Sequence, residues 1–175
     1  IYANTKGRTR RIAQYSGSPV LLGGHLAQDA AAAVALAAGF HVNDSSIGNG
    51  LASFRGLAGR FDCIGTDGRV VFVDDRASTS LASTEAAIAA CPDVFWIGHS
   101  LGPLPKKIKS AIRSAFYLTA PDGSGPPAEG IVTFKDADEA TAAALRAATD
   151  VMRTEPQATP VILFSPGMPG FERQG

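Results

Sequence analysis

Four short polar or glycine-rich segments follow predicted strands of this chain, and their side chains are the candidates for chemistry. They are Asp74-Asp75-Arg76, Gly98-His99-Ser100, Thr119-Ala120-Pro121 and Ser165-Pro166-Gly167. Open α/β sheets bind ligands outside the carboxyl ends of their strands. The four segments therefore predict a binding site at one edge of a sheet, and their residue types alone do not name the ligand.

The elements that must hold these segments alternate between strands and helices. RVVFVDD is nearly all apolar until its acidic end, as in a strand buried on both faces of a sheet. It pairs with FDCIG across a turn containing Asp67 and Gly68, which predicts a β-hairpin. Further strands are predicted in DVFWIGHS, SAFYLTA, IVTF and PVILFSPG, and helices over Pro105 to Arg113 and Ala137 to Met152. We therefore predict an α/β fold, a Rossmann-like and mostly parallel sheet with a β-hairpin and helices on both faces.

The first part of the chain has a different pattern. A short strand is predicted in IYA and another in PVLLGG. HLAQDAAAAVALAAGF predicts a helix that ends at Gly39, and its many alanines suit close packing in a buried position. Ser45 to Leu57 is predicted to be a helix or turn broken by Gly48 and Gly50.

Composition excludes several classes of protein. Sixteen basic and sixteen acidic residues cancel, which disfavours nucleic acid or an anionic membrane as a partner. Arg8, Arg10 and Arg11 form the dense basic run, interpreted as a solvated turn or a phosphate site. Cys63 and Cys91 are predicted to be buried free thiols in a reducing compartment rather than a disulfide.

The ends of the chain and its hydropathy add two expectations. No apolar run approaches the length of a membrane span and no charged-then-apolar signal opens the chain, so a cytoplasmic location is predicted. The chain begins at Ile1 without a methionine and stops at Gly175 without a closing helix, which predicts a fragment of a longer protein. The three histidines show no ligand spacing, so no metal site is predicted.

Three segments resemble the Mur ligase family, and the MurD branch in particular. LLGGHLAQDAAAAVALAAGF resembles the family's G-x-H-N-x-x-N helix, which closes the central ATPase domain. FRGLAGRFDCIG, followed by GRVVFVDDRASTSLASTEAAI, is similar to F-x-G-L-x-H-R-F-E leading through a hairpin into N-D-S-K-A-T-N and S-T-E-A-A. VILFSPGMPGFERQG is similar to L-L-S-P-A-x-A-S and N-F-E-x-R-G. The HNP sequence of other Mur ligases is absent, which favours the MurD branch.

The resemblance implies an ATP-dependent ligase that converts a carboxylate to an acyl phosphate, which an amino acid's amine then attacks. In the MurD branch this joins D-glutamate to UDP-N-acetylmuramoyl-L-alanine in peptidoglycan precursor synthesis. Residues 1–54 would be the end of the central domain and residues 55–175 the C-terminal Rossmann-like domain. ATP and Mg²⁺ would be held mainly by the central domain. The chain contains no GxxxxGK[ST] phosphate loop, so alone it is expected to be inactive.

The resemblance also implies residues that bind the nucleotide. Asp29 takes the place of a family asparagine that contacts adenine. Arg60 matches the arginine that contacts the phosphates, a role suited to a guanidinium fork, or it is a surface arginine at a domain hinge. Asp75 matches the aspartate that meets the ribose, or it belongs to a solvated loop. No catalytic residue is assigned.

The amino-acid site is implied by Thr79 and Phe171, with Arg76 and His99 as further candidates. Thr79 falls where the family threonine helps to bind D-glutamate, or it caps a helix that begins near Ser83. Phe171 matches the phenylalanine that lines the amino-acid pocket. However, Ala77 stands where the family has a lysine, a second lysine is missing after DVFWIG, and so is the serine ahead of Phe171.

These losses leave three alternatives, because an unpaired substrate carboxylate would be costly to bury. The ligase uses another amino acid, or Arg76 and His99 compensate, or the domain has a non-catalytic binding or regulatory role.

Overall fold

The structure is a computed structural model that describes residues 2–5, 8–11, 26–99, 105–119 and 132–167. The chain divides into two compact units, Ile1–Gly56 and Leu57–Gly175. The sequence places a domain boundary between residues 54 and 55; the identity of the two units as parts of a central and a C-terminal domain stays a prediction.

The first unit contains a β-hairpin and two helices. β1 (Tyr2–Thr5) pairs antiparallel with β2 (Arg8–Arg11), so the interpretation of the arginine run as a turn is wrong. α1 (Leu26–Gly39) ends at the predicted glycine. Its predicted burial is wrong, because only Ala30 and Val34 are buried along it. The predicted PVLLGG strand lies outside the described residues.

α2 (Asp44–Ser53) runs through both glycines that were expected to break it. A glycine inside a helix costs about 1 kcal/mol relative to alanine, so it weakens a helix without excluding one. Two features offset this cost. The side chain of Asn43 accepts a hydrogen bond from the Ser46 amide at 2.9 Å as an N-cap, and the buried Ile47 packs with Val34 of α1.

The second unit is built on a six-stranded sheet. Its elements in chain order are β3 (Asp62–Asp67), β4 (Val70–Asp74), α3 (Leu81–Ala89), β5 (Asp93–Gly98), α4 (Lys106–Lys109), β6 (Ile112–Leu118), β7 (Thr133–Phe134), α5 (Ala137–Thr154) and β8 (Pro160–Phe164). The strand order is β3-β4-β8-β5-β6-β7, with β3 antiparallel to β4 and every other neighbouring pair parallel. The predicted hairpin and mostly parallel sheet are confirmed.

The predicted helix over Pro105 to Arg113 is wrong in length. Only the four residues of α4 are helical, because β6 already begins at Ile112, paired with Val94. Arg113 is therefore a strand residue, and it forms ion pairs with Asp93 and Glu155.

Helices cover both faces of the sheet. α5 presents Ala140, Ala144 and Ala148 to it, all fully buried and spaced by four residues along one side of the helix. Their small side chains let the helix approach closely over an apolar cluster that includes Phe95 and Ile97. Side chains alternate along a strand, so Trp96 points to the opposite face, where α3 buries Thr84, Ala87 and Ile88. Among the described residues, no helix is long and apolar enough to cross a membrane.

The two cysteines are both free, as predicted, but only one is buried. Cys63 is exposed on β3 at the edge of the sheet, so its predicted burial is wrong. Cys91 is buried, and its thiol lies 3.5 Å from the carbonyl oxygen of Ala87. Burial, and to a smaller extent the charge of Asp75, raises the pKa of the Cys91 thiol to about 12 from an ordinary value of 9.0.

We expect the two thiols to react very differently with a disulfide reagent such as DTNB. Cys63 should react at once in the native protein, whereas Cys91 should react only after unfolding, and Cys63→Ala should leave no fast-reacting thiol. Two fast thiols in the native protein would contradict this expectation.

Because the folded-state pKa of Cys91 lies above the unfolded value, its contribution to stability is complete below pH 9.0 and is lost as pH rises toward about 12. Over that pH range, thermal unfolding should show a smaller loss of stability for Cys91→Ala than for the parent protein.

Candidate functional site

The carboxyl ends of three neighbouring strands meet at the predicted edge of the sheet. The Asp75 amide, after β4, donates to the carbonyl oxygen of Phe164 at 2.8 Å. The Ser165 amide, after β8, donates to that of Ile97 in β5 at 3.0 Å, and the His99 amide donates to that of Pro166 at 3.3 Å. Three of the four polar segments predicted from the sequence are thus joined by backbone hydrogen bonds.

Asp75 is buried at this edge, with 6% of its surface exposed. Its Oδ1 accepts a hydrogen bond from the Phe61 amide at 3.0 Å. Its Oδ2 accepts one from the Ser165 hydroxyl at 2.9 Å and a short one from the Ser78 hydroxyl. The interpretation of Asp75 as part of a solvated loop is wrong. The ribose contact stays a prediction, and a ribose hydroxyl would have to share these oxygens with donors from inside the domain.

Ser165 extends this buried polar network to the other face of the sheet. It is fully buried, its hydroxyl lies 3.0 Å from that of Thr84 in α3, and its carbonyl oxygen accepts a hydrogen bond from the indole of Trp96 at 2.9 Å. Ser165 belongs to one of the four segments that predicted the site, whereas Thr84 and Trp96 were not predicted to belong to it. The sequence contains one indirect indication of this network, because a carboxylate that follows a buried strand needs hydrogen-bond donors. The sequence pattern does not identify the residues that supply them.

Arg60 lies exposed in a tight turn at the start of the second unit. The Arg60 amide donates to the carbonyl oxygen of Leu57 at 3.0 Å, which closes the turn. Gly56, Gly59 and Phe61 have φ angles of 88°, 71° and 49°, the left-handed region that favours glycine. The guanidinium predicted to contact phosphates is therefore carried by an unusual backbone conformation.

Arg76 makes a short-range ion pair with Asp74. Its Nε donates to Asp74 Oδ2 at 2.7 Å and its Nη2 lies 2.6 Å from the same oxygen, while its amide donates to Oδ1 at 3.0 Å. The hydrogen bond to Asp74 raises the pKa of Arg76, so the guanidinium remains charged but matched by a buried carboxylate. This pairing weakens Arg76 as a substitute for the missing lysines, because its charge is already largely balanced.

Thr79 is exposed beside the start of α3, and it is not the cap of that helix. The helix begins at Leu81, two residues before Ser83, and Ser80 forms a capping box with Ser83, so capping by Thr79 is wrong. The Ser80-x-x-Ser83 spacing is the sequence signal that would have identified this cap.

A matched pair of substitutions tests this assignment. Ser80→Ala should lower the free energy of unfolding by about 1 kcal/mol, because it leaves an amide of the first turn without its acceptor. Thr79→Ala should change it by less than about 0.5 kcal/mol, as at other exposed positions. Urea unfolding of both variants measures the difference, and an equal loss in the two would contradict the assigned cap.

The remaining predicted site residues are Asp29, His99 and Phe171. Asp29 is exposed in the first turn of α1, in the other unit. His99 follows β5 and is buried, with 4% of its surface exposed, so its side chain is not presented to solvent. Phe171 lies outside the described residues. Their predicted contacts with nucleotide or amino acid stay predictions.

A pocket of about 430 Å³ opens on the side of the sheet covered by α5. Its floor is apolar, with Phe72, Ile162 and Phe164, and the start of α5 forms one wall. Of the predicted site residues, Arg76 lines it while Asp75, Thr79 and His99 do not. In the part of the chain that the structure describes, no three acidic, histidine or cysteine residues are grouped as a metal site would require.

The strand order, the mixed sheet and the polar carboxyl edge define a Rossmann-like α/β domain. The fold is shared with the crystal structure of MurF from Acinetobacter baumannii, which superposes with a TM-score of 0.54 at 21% identity over 83% of this chain and 35% of that one. No family model matches the chain.

Comparison with curated relatives gives the family. The chain is 32% identical over 177 residues to the UDP-N-acetylmuramoylalanine--D-glutamate ligase of Brucella abortus (strain 2308), covering 95% of this chain and 37% of that protein. It is 41% identical over 95 residues to the ligase of the same name from Rhizobium johnstonii, covering 54% of this chain and 20% of that protein. The chain belongs to the Mur ligase family, and its relatives are of the MurD type.

Proposed function

We propose that the chain is the C-terminal portion of a cytoplasmic, ATP-dependent amide ligase of the MurD type. The ligase would form an acyl phosphate on a UDP-N-acetylmuramoyl-type carboxylate and join an amino acid to it in peptidoglycan precursor synthesis. The observation that carries the proposal is the 32% identity to a named ligase over 95% of the chain. The proposal concerns the whole protein, because the chain spans only 37% of that relative's length.

Three residues of this chain are suited to contact the ATP and the amino acid that the proposal requires. Arg60 is an exposed guanidinium on a fixed turn, as a phosphate contact needs. Thr79 offers an exposed hydroxyl for the amino acid, and Asp29 an exposed carboxylate for adenine. The chain has no phosphate loop and no described metal cluster, so in this proposal the rest of the ligase supplies the phosphate loop and holds Mg²⁺. When bound, ATP supplies the phosphoryl group that activates the carboxylate. In this proposal the residues of this chain orient the nucleotide.

The proposal is tested by phosphate release from the natural polypeptide that contains this chain, given ATP, Mg²⁺, UDP-N-acetylmuramoyl-L-alanine and D-glutamate. We expect turnover, and we expect Arg60→Ala to raise the KM for ATP about tenfold or more, since charge-assisted bonds to phosphate contribute about 1.5–3 kcal/mol. Arg146→Ala, an exposed arginine on α5, is the matched control and should leave the KM unchanged. An unaltered KM in Arg60→Ala would remove Arg60 from the site.

The ion pair between Asp74 and Arg76 favours a second candidate, a ligase of this type with another amino acid. Ala77 stands where the family has a lysine, and the basic residue of segment 74–79, Arg76, is already paired with Asp74. This segment therefore offers no further cation for the side-chain carboxylate of a dicarboxylic amino acid. A panel of D- and L-amino acids in the phosphate-release assay separates the candidates. Turnover with glutamate supports the first, whereas failure of glutamate and success of a monocarboxylic amino acid supports the second. No turnover with any member would favour a non-catalytic binding role.

A further inference from the structure

We infer that Asp75 is a positioning residue: with Ser78 and Ser165 it holds the turn Leu57–Phe61 in its left-handed conformation and thereby places the guanidinium of Arg60. The part that concerns Arg60 and the nucleotide rests on the proposed function. The part that concerns the turn rests on the geometry of the second unit alone.

The first observation is the backbone of Phe61. Its φ of 49° is uncommon for a residue with a large side chain, and it persists only where the surroundings fix it. Two contacts do so. The Phe61 side chain is buried, with 7% of its surface exposed, and its amide donates to Asp75 Oδ1 at 3.0 Å. Without that acceptor, the amide would lose its partner in a buried position.

The second observation is that Asp75 is itself held in place. Its Oδ2 accepts hydrogen bonds from both Ser78 and Ser165, which fix the orientation of the carboxylate that faces Phe61. Ser165 is in turn fixed by its own amide, which donates to Ile97 of β5. The position of the turn is therefore tied through one carboxylate to the centre of the sheet.

The third observation lies on the other side of Arg60. The carbonyl oxygen of Gly59 accepts a hydrogen bond from the Ala77 amide at 2.9 Å. The Gly59 backbone also lies against the Arg76 side chain, since a Cβ at Gly59 would fall 2.6 Å from Arg76 Cγ. Both chain neighbours of Arg60 are thus docked on the segment 75–77, and the direction in which Arg60 leaves the turn follows from them.

The test is a double-mutant cycle between Ser165→Ala and Arg60→Ala in the natural polypeptide that contains this chain. Ser165 is fully buried, so its hydroxyl acts on a nucleotide only through other residues. Two readouts are taken: hydrogen–deuterium exchange of the peptide covering Leu57–Phe61, and the affinity for ATP with Mg²⁺. Ile88→Val, which removes one methyl group from a fully buried side chain of α3, controls for general destabilisation. Ser78→Ala is the second test variant should Ser165→Ala fold poorly.

We expect Ser165→Ala to speed exchange in the turn peptide and to weaken ATP binding about tenfold, and to weaken it less than twofold further in the Arg60→Ala background. Ile88→Val should change neither readout. Unchanged exchange in the turn would overturn the role of Asp75, and additive losses of affinity would overturn its action through Arg60. If the parent protein binds no ATP, the proposed function and the placement of Arg60 for a nucleotide both fail, while exchange still decides whether Asp75 holds the turn.

Discussion

Gly98→Ala is expected to lower the free energy of unfolding by about 3 kcal/mol, because the last residue of β5 has no room for a side chain. A Cβ there would lie 2.2 Å from Cζ2 of Trp96 and 2.7 Å from the carbonyl oxygen of Ser165. Neither group can move cheaply. The indole is fully buried, donates its hydrogen bond to that same carbonyl oxygen, and meets Tyr117 edge to face at 5.4 Å between ring centroids.

The matched control is Gly65→Ala in β3 of the same sheet, where a Cβ would meet nothing within 4 Å. That variant should unfold within about 0.5 kcal/mol of the parent or be slightly more stable, since alanine restricts the unfolded chain more than glycine does. Urea unfolding followed by tryptophan fluorescence reports both variants. Equal stability of Gly98→Ala and the parent would mean that the indole of Trp96 can move to another position without loss of stability.

The second large effect is expected at Asp75. Asp75→Ala should cost about 3 kcal/mol, because it leaves the hydroxyls of Ser78 and Ser165 and the amide of Phe61 without their shared acceptor. Asp75→Asn should cost less but still more than about 1 kcal/mol, since an amide keeps one accepting oxygen and places an NH₂ group against donors.

Asp67→Asn makes the same chemical change at an exposed carboxylate in the hairpin and serves as the control. It should alter the free energy of unfolding by less than about 0.5 kcal/mol. Chemical denaturation of the three variants in parallel gives the comparison. A value for Asp75→Ala as small as that for Asp67→Asn would show that water replaces the carboxylate and that the network contributes little.

The sheet of the second unit was predictable because its strands differ so clearly from their surroundings. β4 and β5 are continuous apolar runs, which only a strand covered on both faces can bury. The Asp67-Gly68 sequence predicted the turn between β3 and β4, which the structure places at Gly68 and Arg69. α5 was predictable for a related reason, since its alanines recur at the spacing of one helix face.

The errors arose where tertiary contacts outweigh local preference. Gly48 and Gly50 disfavour a helix locally, yet packing of Ile47 and the Asn43 cap are enough to form α2. Similarly, the residues before Arg113 have helical preferences, but pairing of Ile112 with Val94 converts them into the start of a strand.

The candidate site was predictable in its location and not in its construction. The rule that ligands bind at the carboxyl ends of strands identified the segment around Asp75. The partner hydroxyl of Ser165 lies 90 residues further along the chain, and no local pattern connects the two. Burial of Asp75 is a property of that pairing, so sequence alone left the choice between a ligand contact and a solvated loop unresolved.

The place of β8 in the sheet has a consequence for how the domain is made. β8 is the last described strand in the chain, yet it lies in the middle of the sheet, with β4 on one side and β5 on the other. During synthesis, therefore, β4 and β5 lack their shared neighbour until Phe164 has emerged from the ribosome. Until then, the edges of β4 and β5 that will pair with β8 remain unpaired. Such long-range pairing is intrinsically slow. The interval before β8 inserts is when this domain would be most exposed to aggregation and most dependent on chaperones.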